Sequence, residues 1–363
     1  IPPIIMGHEC AGTVAGLGDG VGGWTIGDRV TMDSMIYCGR CGFCTSGKTN
    51  LCDNRQILGV SCDEFRKHGA FARYVTIPAS LLVSLPDQVS FEHAAFAEPL
   101  GVCLHAVRLV SPAPGSTAVV VGTGMIGLLL LQVARAEGCE RIIAVDLDPT
   151  KLDLALKLGA SEAINPSDGD PVARILELTD GKGVDCAWEA VGATGPIDTA
   201  IRAVRKGGKV GLVGNVSATT EFPLQAVVTR ELTLYGSCAC TGEFGDAIDL
   251  IATGRVAVEP LISHRGRLED VPDFFERLHR NEPGHLKIMI QPREPDQRTT
   301  TDFPMIDTNK DLEDGSKAAV ITGGGSGVGR GIALRLADEG WALALVGRTP
   351  ARLEETAGLA GRA

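Results

Sequence analysis

The sequence predicts an α/β protein in which a small, mostly β part is followed by a doubly wound parallel sheet. Three observations lead there. From residue 1 to about Leu100, short apolar runs are broken by Gly, Pro and Asp. From Thr117 the rhythm changes to strand, helix, strand, which is what parallel βαβ units require. Between the first of these strands and its helix lies a glycine-rich turn, Gly122-Thr-Gly124-Met-Ile-Gly127.

In chain order, the β part reads as runs at Gly12–Val14, Asp28–Thr31, Phe71–Ile77 and Leu81–Leu85. Val119–Val121 is then a buried strand, Met125–Glu137 a helix and Arg141–Val145 a second strand. Lys151–Leu158 continues as a helix, and strands follow near Val184–Trp188 and Lys209–Val213. After Gln291 the chain turns polar and rich in Pro and mixed charge, the composition of a linker. Ala318–Thr322 opens a new strand, followed by a second glycine-rich turn, a helix and the strand Ala342–Val346. That last piece is too small to bury a core of its own.

Composition limits the function classes. Lys+Arg number 34 against 45 Asp+Glu, a formal net charge of -11, with no basic run that would suit a nucleic-acid duplex. Aromatic residues are 4%, too few for a stacking platform. The most apolar stretch, Ala118–Ala136, is interrupted by Gly122, Thr123, Gly124, Gly127 and Gln132, and reads as a buried strand and helix rather than a membrane span. No signal peptide is visible at Ile1, so a cytoplasmic protein without membrane or nucleic-acid partners is expected.

Eleven cysteines in a long acidic chain are tested first as metal ligands. Cys38-Gly-Arg-Cys41-Gly-Phe-Cys44, closed by Cys52, bunches four thiols at a spacing that surrounds one tetrahedral zinc. An all-cysteine shell leaves no open position, so this zinc is structural. Free or disulfide-bonded cysteines are the alternative.

In the glycine turn, Gly122, Gly124 and Gly127 let the backbone approach a pyrophosphate at a helix N-terminus, with Met125 and Ile126 opening the helix. Asp146, closing the next strand, is placed to accept hydrogen bonds from the adenosine ribose and to repel a 2′-phosphate, which favours NAD. The alternative is a turn that serves packing only. Gly7-His8-Glu9 and the distant Glu98 in Phe96-Ala-Glu98-Pro-Leu are one imidazole and two carboxylates fit for a catalytic zinc. Sequence alone does not bring them together, and a buried histidine of no special role is the competing reading.

These motifs, in this order, resemble the zinc-containing medium-chain dehydrogenases, in particular the polyol, sorbitol and threonine dehydrogenase branch. The likeness runs through Met6-Gly-His-Glu-Cys-Ala-Gly-Thr-Val, Gly27-Asp-Arg-Val, the four cysteines, Glu98-Pro-Leu and Gly122–Gly127. It continues through Glu189-Ala-Val-Gly192, Lys206-Gly-Gly-Lys-Val and Leu286-Lys-Ile, covering Ile1 to Pro292. The resemblance implies a GroES-like, mostly β catalytic domain over 1–100, a Rossmann NAD-binding domain over 101–239, and a return to the catalytic domain over 240–292. It implies a catalytic zinc at His8, Glu9 and Glu98, a cofactor site with Lys151 beside the ribose, and a loop at Val213-Gly214 near the nicotinamide. A homo-oligomer, dimer or tetramer, is implied in the same way, as is reversible oxidation of a secondary alcohol, a polyol or related metabolite.

Two departures accompany it. The family supplies a cysteine ligand and a proton-relay hydroxyl from a segment before Gly-His-Glu, whereas this sequence starts at Ile1. Cys10 does not take that ligand's place, so the expectation is an incomplete catalytic zinc site. Ala239-Cys240 stands where sorbitol dehydrogenases carry an Arg-Tyr pair, which weakens sorbitol itself as substrate. The cysteine quartet argues against a zinc-free quinone reductase of the same superfamily. A non-catalytic NAD-binding protein with one structural zinc stays open, as does a bifunctional fusion. After a linker over 293–316, residues 317–363 carry Thr322-Gly-Gly-Gly-Ser-Gly327-Val-Gly329, which resembles the opening of the short-chain dehydrogenases, with Arg348 suited to a 2′-phosphate. That family's Tyr-x-x-x-Lys is not within the sequence, so this piece is expected to have no activity of its own.

Overall fold

The computed structural model describes residues 4–60, 66–280, 282–292, 318–322, 327–338, 342–346 and 350–360. The linker expected at 293–316, Gly323 of the second glycine turn and Arg348 lie outside the described residues. The chain divides into two compact units, Ile1–Arg293 and Glu294–Ala363.

The first unit begins with small sheets. β1 (Ala11–Thr13), β2 (Arg29–Met32) and, later, β6 (Leu82–Ser84) form one antiparallel sheet in the order β1-β2-β6. β3 (Met35–Ile36), β4 (Gln56–Leu58) and β5 (Arg66–Lys67) form another. Between β3 and β4 the chain loops out through the cysteine quartet and the short helix α1 (Gly42–Thr45). The strand expected at Phe71–Ile77 does not form. Phe71 N–H donates to Met6 O at 2.8 Å, but residues 74–77 join no ladder, and Tyr74 is 65% exposed. Among the described residues no neighbouring strand supplies the pairing that an alternating pattern needs. Helices α2 (Phe91–Ala94) and α3 (Ala97–Val110) follow, with Ser90 capping α2 through a bond from His93 N–H at 3.1 Å.

The six-stranded parallel sheet is built from β7 (Thr117–Val121), β8 (Arg141–Val145), β9 (Glu162–Ile164), β10 (Val184–Glu189), β11 (Val204–Leu212) and β12 (Thr233–Gly236). Their order is β12-β11-β10-β7-β8-β9, so the strand order reverses between β7 and β10. In such sheets ligands bind beyond the C-terminal strand ends at that switch point. The connecting helices are α4 (Met125–Ala136), α5 (Pro149–Lys157), α6 (Pro171–Leu178), α7 (Thr194–Ala203) and α8 (Leu224–Thr229). Along β7, Ala118 and Val120 enter one apolar core while Val119 and Val121 enter the other; Ile142 and Ala144 alternate with Ile143 and Val145 in the same way along β8. Both faces are covered, which explains strands with no polar side.

The remaining stretch carries α9 (Phe244–Ala252), β13 (Ile262–Gly266), α10 (Val271–His279) and β14 (Lys287–Ile290), with β13 and β14 parallel. Phe244, Ala247, Ile248 and Ile251 of α9 share the core cluster of α3. The second unit has β15 (Ala318–Thr322) parallel to β16 (Ala342–Val346), with α11 (Gly327–Asp338) and α12 (Pro350–Ala360) joined by an Arg330–Glu355 ion pair at 2.6 Å. No helix of the described residues is long and apolar enough to cross a membrane.

Candidate active site and metal centres

His8 is placed by a close approach of three glycines. Ala70 N–H donates to Gly7 O at 2.7 Å, and Gly69 N–H to Ile5 O at 2.8 Å. A Cβ on Gly59 would lie 2.1 Å from Gly7 O, and one on Gly69 2.2 Å from the same atom. The backbones are in contact, and only glycine permits it. Glu98 comes from the first turn of α3, held by packing of Phe96 and Leu100, both fully buried.

These elements bring together residues from opposite ends of the β part. His8 Nε2 lies 4.0 Å from Glu9 Oε1 and 3.9 Å from Glu98 Oε1, and the three donor atoms all fall within 4.8 Å of one another. No cysteine is in this group among the described residues. Lys287, the buried first residue of β14, sits against the Glu9 carboxylate and 5.3 Å from the centre of the Phe96 ring. Asp33 and Ser34, just past β2, also lie against Glu98, Asp33 by its charge and Ser34 by a hydrogen bond.

The electrostatics suit a cation. Burial raises the Glu98 carboxyl to about 7, the neighbouring Asp33 adds to the rise, and the Ser34 hydroxyl hydrogen bond opposes it. Asp33 is itself raised to about 6, chiefly by burial. Burial lowers His8, and Lys287 lowers it further, so the imidazole is neutral with a lone pair to offer. Burial also pushes the Lys287 ammonium down to about 7. Crowded carboxylates beside a neutral imidazole are a donor set that a divalent ion relieves, and imidazole with carboxylates is within zinc's ligand range.

The four cysteines also converge. The sulfurs of Cys38, Cys41, Cys44 and Cys52 lie within 4.8 Å of one another. Backbone amides point at them: Cys38 N–H donates to Cys52 Sγ at 3.3 Å and Asn54 N–H to the same atom at 3.4 Å. Amide donors at Arg40 and Cys41 hold the Cys38 thiol down at about 6, and those at Cys44 and Asp53 lower Cys41. Gly39 at φ 69 makes the turn between the first two. Preformed N–H···S contacts around four sulfurs fit a closed thiolate metal site. Behind this lobe, Asn50 Nδ2 reaches His105 Nε2 at 3.3 Å and donates to Cys238 O at 2.9 Å, while His105 Nδ1 meets Glu243 Oε1 at 2.9 Å.

At the switch point the glycine turn has the shape of a cradle. Gly122 adopts φ 90, and a Cβ there would meet Val191 Cγ2 at 2.5 Å; a Cβ on Gly127 would meet Gly122 O at 1.8 Å. A Cβ on Gly124 would find open space, and Gly124 caps α4 with no side-chain hydrogen bond. The α4 N-terminus therefore faces open space with its amides available to an anion. Met125 and Ile126 turn their side chains toward the core cluster behind. Asp146 Oδ2 accepts from Thr123 N–H at 2.6 Å and its Oδ1 from Asp148 N–H at 2.9 Å, while Lys151 Nζ stands 3.8 Å from Asp148. The Val213 and Gly214 amides both donate to Glu189 O, at 2.9 and 3.0 Å.

The sequence did not single out Asp33, Ser34, Asn50, His105 or Glu243, and Glu189 and Lys287 stood in it only as parts of motifs. Their roles depend on which chain segment arrives opposite them, and residue type alone carries no such signal.

Comparison with known proteins agrees with this geometry. Residues 1–87 match the alcohol dehydrogenase GroES-like domain, residues 126–253 the zinc-binding dehydrogenase domain, and residues 317–363 the short chain dehydrogenases. Sorbitol dehydrogenase of Bacillus subtilis is 35% identical over 292 residues, 80% of this chain and 81% of the relative. The structure of alcohol dehydrogenase TADH from Thermus sp. ATN1 superposes with a TM-score of 0.75 at 32% identity, covering 81% of this chain and 85% of the other. A short chain alcohol dehydrogenase of E. coli CFT073 complexed with cofactor NADH superposes with a TM-score of 0.74 at 26% identity, over 80% of this chain and 85% of the other.

Proposed function

This chain belongs to the zinc-binding alcohol dehydrogenases, and on that premise we propose that it oxidises a secondary alcohol of the polyol class reversibly with NAD, at a zinc site made by His8, Glu9 and Glu98. Residues 1–100 and 240–292 act as the catalytic domain and 101–239 as the cofactor domain. The observation that carries the reading is the meeting of His8, Glu9 and Glu98 within 4.8 Å, from segments far apart in the chain.

Zinc, when bound, supplies Lewis acidity toward the substrate hydroxyl, and the nicotinamide supplies the two-electron acceptor. The chain's own groups do the rest. His8 offers a neutral imidazole, Ser34 orients the Glu98 carboxylate, and Lys287 holds that of Glu9. Phe96 and the buried stem of Lys287 keep water from that side of the site. Gly122, Gly124 and Gly127 make room for the pyrophosphate, whose charge meets the α4 amides. Asp146 and Lys151 face the ribose, and the Asp146 carboxylate repels a 2′-phosphate. Val213 and Gly214 line the nicotinamide end. A homo-oligomer belongs to the same reading: β12 is an outer strand of the sheet, and Leu224 and Val228 of α8 are 59% and 64% exposed.

The test is zinc per chain after loosely held metal is removed, together with NADH formation from a panel of polyols and simple secondary alcohols. About two zinc ions per chain are expected, falling to about one in His8→Ala with loss of NADH formation. A wild-type chain that holds one zinc and reduces no NAD would overturn the proposal.

A further inference from the structure

Glu189 is a fully buried carboxylate at the C-terminal end of β10, where the strand order reverses. In register it lies between Val121 of β7 and Leu212 of β11. Its side chain accepts from Val191 N–H at 2.8 Å, and from Gly192 N–H at 2.8 Å through Oε1 and 3.0 Å through Oε2. Its backbone carbonyl takes the amides of Val213 and Gly214. The next residue, Ala190, donates to Val121 O at 2.9 Å, just before the pyrophosphate turn.

The loops so held are packed to the limit. A Cβ on Gly214 would meet Gly192 N and Val191 N at 2.3 Å, and one on Gly192 would meet Asn215 N at 2.3 Å. Val191 Cγ2 in turn fills the space a Cβ on Gly122 would need. Three loops therefore meet around one residue: the glycine turn, residues 190–192 and residues 213–214. A buried carboxylate is costly unless it is hydrogen-bonded, and this one is satisfied by the backbone amides of residues 191 and 192, so it ties that segment to one geometry.

We infer that Glu189 is a positioning residue for the dinucleotide: it sets the 190–192 loop against Gly122 and Gly214, and so fixes where the nicotinamide half lies relative to the pyrophosphate turn. This rests on the reading of the glycine turn as the nicotinamide cofactor site. Glu189 itself touches no cofactor atom in this role. Replacing it with Gln keeps the volume but turns an amide donor toward the loop amides, so one loop bond is lost and one N–H is left facing another. The 190–192 loop then loosens, while the α4 N-terminus and Asp146, on the adenosine side, are untouched.

The experiment compares wild type, Glu189→Gln and Glu189→Asp by fluorescence titration with NADH and by calorimetric titration with 5′-AMP, with hydrogen exchange on the ligand-free proteins. Glu189→Gln is expected to weaken NADH about tenfold, to leave 5′-AMP within about twofold, and to speed exchange at Val191 and Gly192. Glu189→Asp, which keeps the acceptor, is expected to recover part of the NADH affinity. Equal loss of NADH and 5′-AMP would mean that Glu189 only supports the fold, and would overturn the inference. So would wild-type affinity for both in Glu189→Gln. A wild-type protein that binds neither ligand would instead remove the cofactor reading, and this inference with it.

Discussion

Lys287 and Glu9 are in direct contact, a buried ammonium on β14 against a carboxylate beside the His8 imidazole. The lysine neutralises one of two carboxylates that crowd His8 and leaves the other, Glu98, raised to about 7. Lys287→Met keeps the volume and removes the charge. In metal-free protein this leaves the Glu9 carboxylate without its partner, at a cost of about 3 kcal/mol. A dication among the donors replaces the missing charge, so zinc binding is expected to tighten about tenfold. Thermal unfolding of the metal-free protein and competition against a chelator read the two effects. Weaker zinc binding in the variant would show that Lys287 shapes the donor set instead of competing with the ion.

The glycine contact under His8 makes a second prediction. At Gly59, φ is 66 and an added Cβ meets Gly7 backbone at 2.1 Å, so the clash is with backbone and no flexible side chain can give way. Gly59→Ala is expected to cost about 3 kcal/mol and to push Gly7 and His8 away from Glu98. The metal content then separates local from global damage: the His8 site should empty while the four-cysteine site stays filled. Retention of both ions with an unchanged melting temperature would contradict the packing described.

A third prediction concerns pH. Glu243 is buried and lies below its ordinary value of 4.5; burial alone would raise it, but the His105 hydrogen bond and the Thr241 amide outweigh that. A carboxyl whose folded pKa lies below its unfolded one binds its proton more readily when unfolded. Its stabilisation is therefore full above pH 4.5 and is lost as the pH falls through the lower, folded value. Glu243→Gln should cost about 2 kcal/mol near neutrality, with the difference from wild type shrinking below about pH 4.5. Denaturant titrations across that range test it. A difference that stays constant with pH would assign the effect to lost packing.

Much of this was legible in the sequence because the signals are local. Strand β8 runs over Arg141–Val145 as its apolar pattern says, and α4 begins at Met125, straight after the glycine turn. The cysteine quartet closes because its ligands lie within one loop. The strand expected at Phe71–Ile77 is missing for the opposite reason: alternation proposes a strand, but a ladder needs a neighbour at hand. Lys287, Asp33 and Glu189 were illegible as site residues on the same grounds. Each acquires its role from a partner that only the fold delivers, Glu9 for one, Glu98 for another, and two loops for the third.

In the proposed function, the choice of cofactor turns on Asp146. Its carboxylate is fixed by two amides, Thr123 at 2.6 Å and Asp148 at 2.9 Å, so the charge is held at the mouth of the glycine turn. Asp146→Asn keeps the size, removes the charge and retains one acceptor oxygen. Charge-assisted bonds are about twice as strong as neutral ones, so NAD should lose about tenfold in kcat/KM. The repulsion toward a 2′-phosphate disappears at the same time, and in the proposed site Lys151, with 34% of its side chain exposed, is the cation available to meet it. NADP should therefore gain while NAD falls, and the ratio of the two kcat/KM values is the measurement. Movement in opposite directions assigns selectivity to the Asp146 charge. An equal fall for both cofactors would mean that the carboxylate only props the turn through Thr123, and that discrimination lies elsewhere in the crevice.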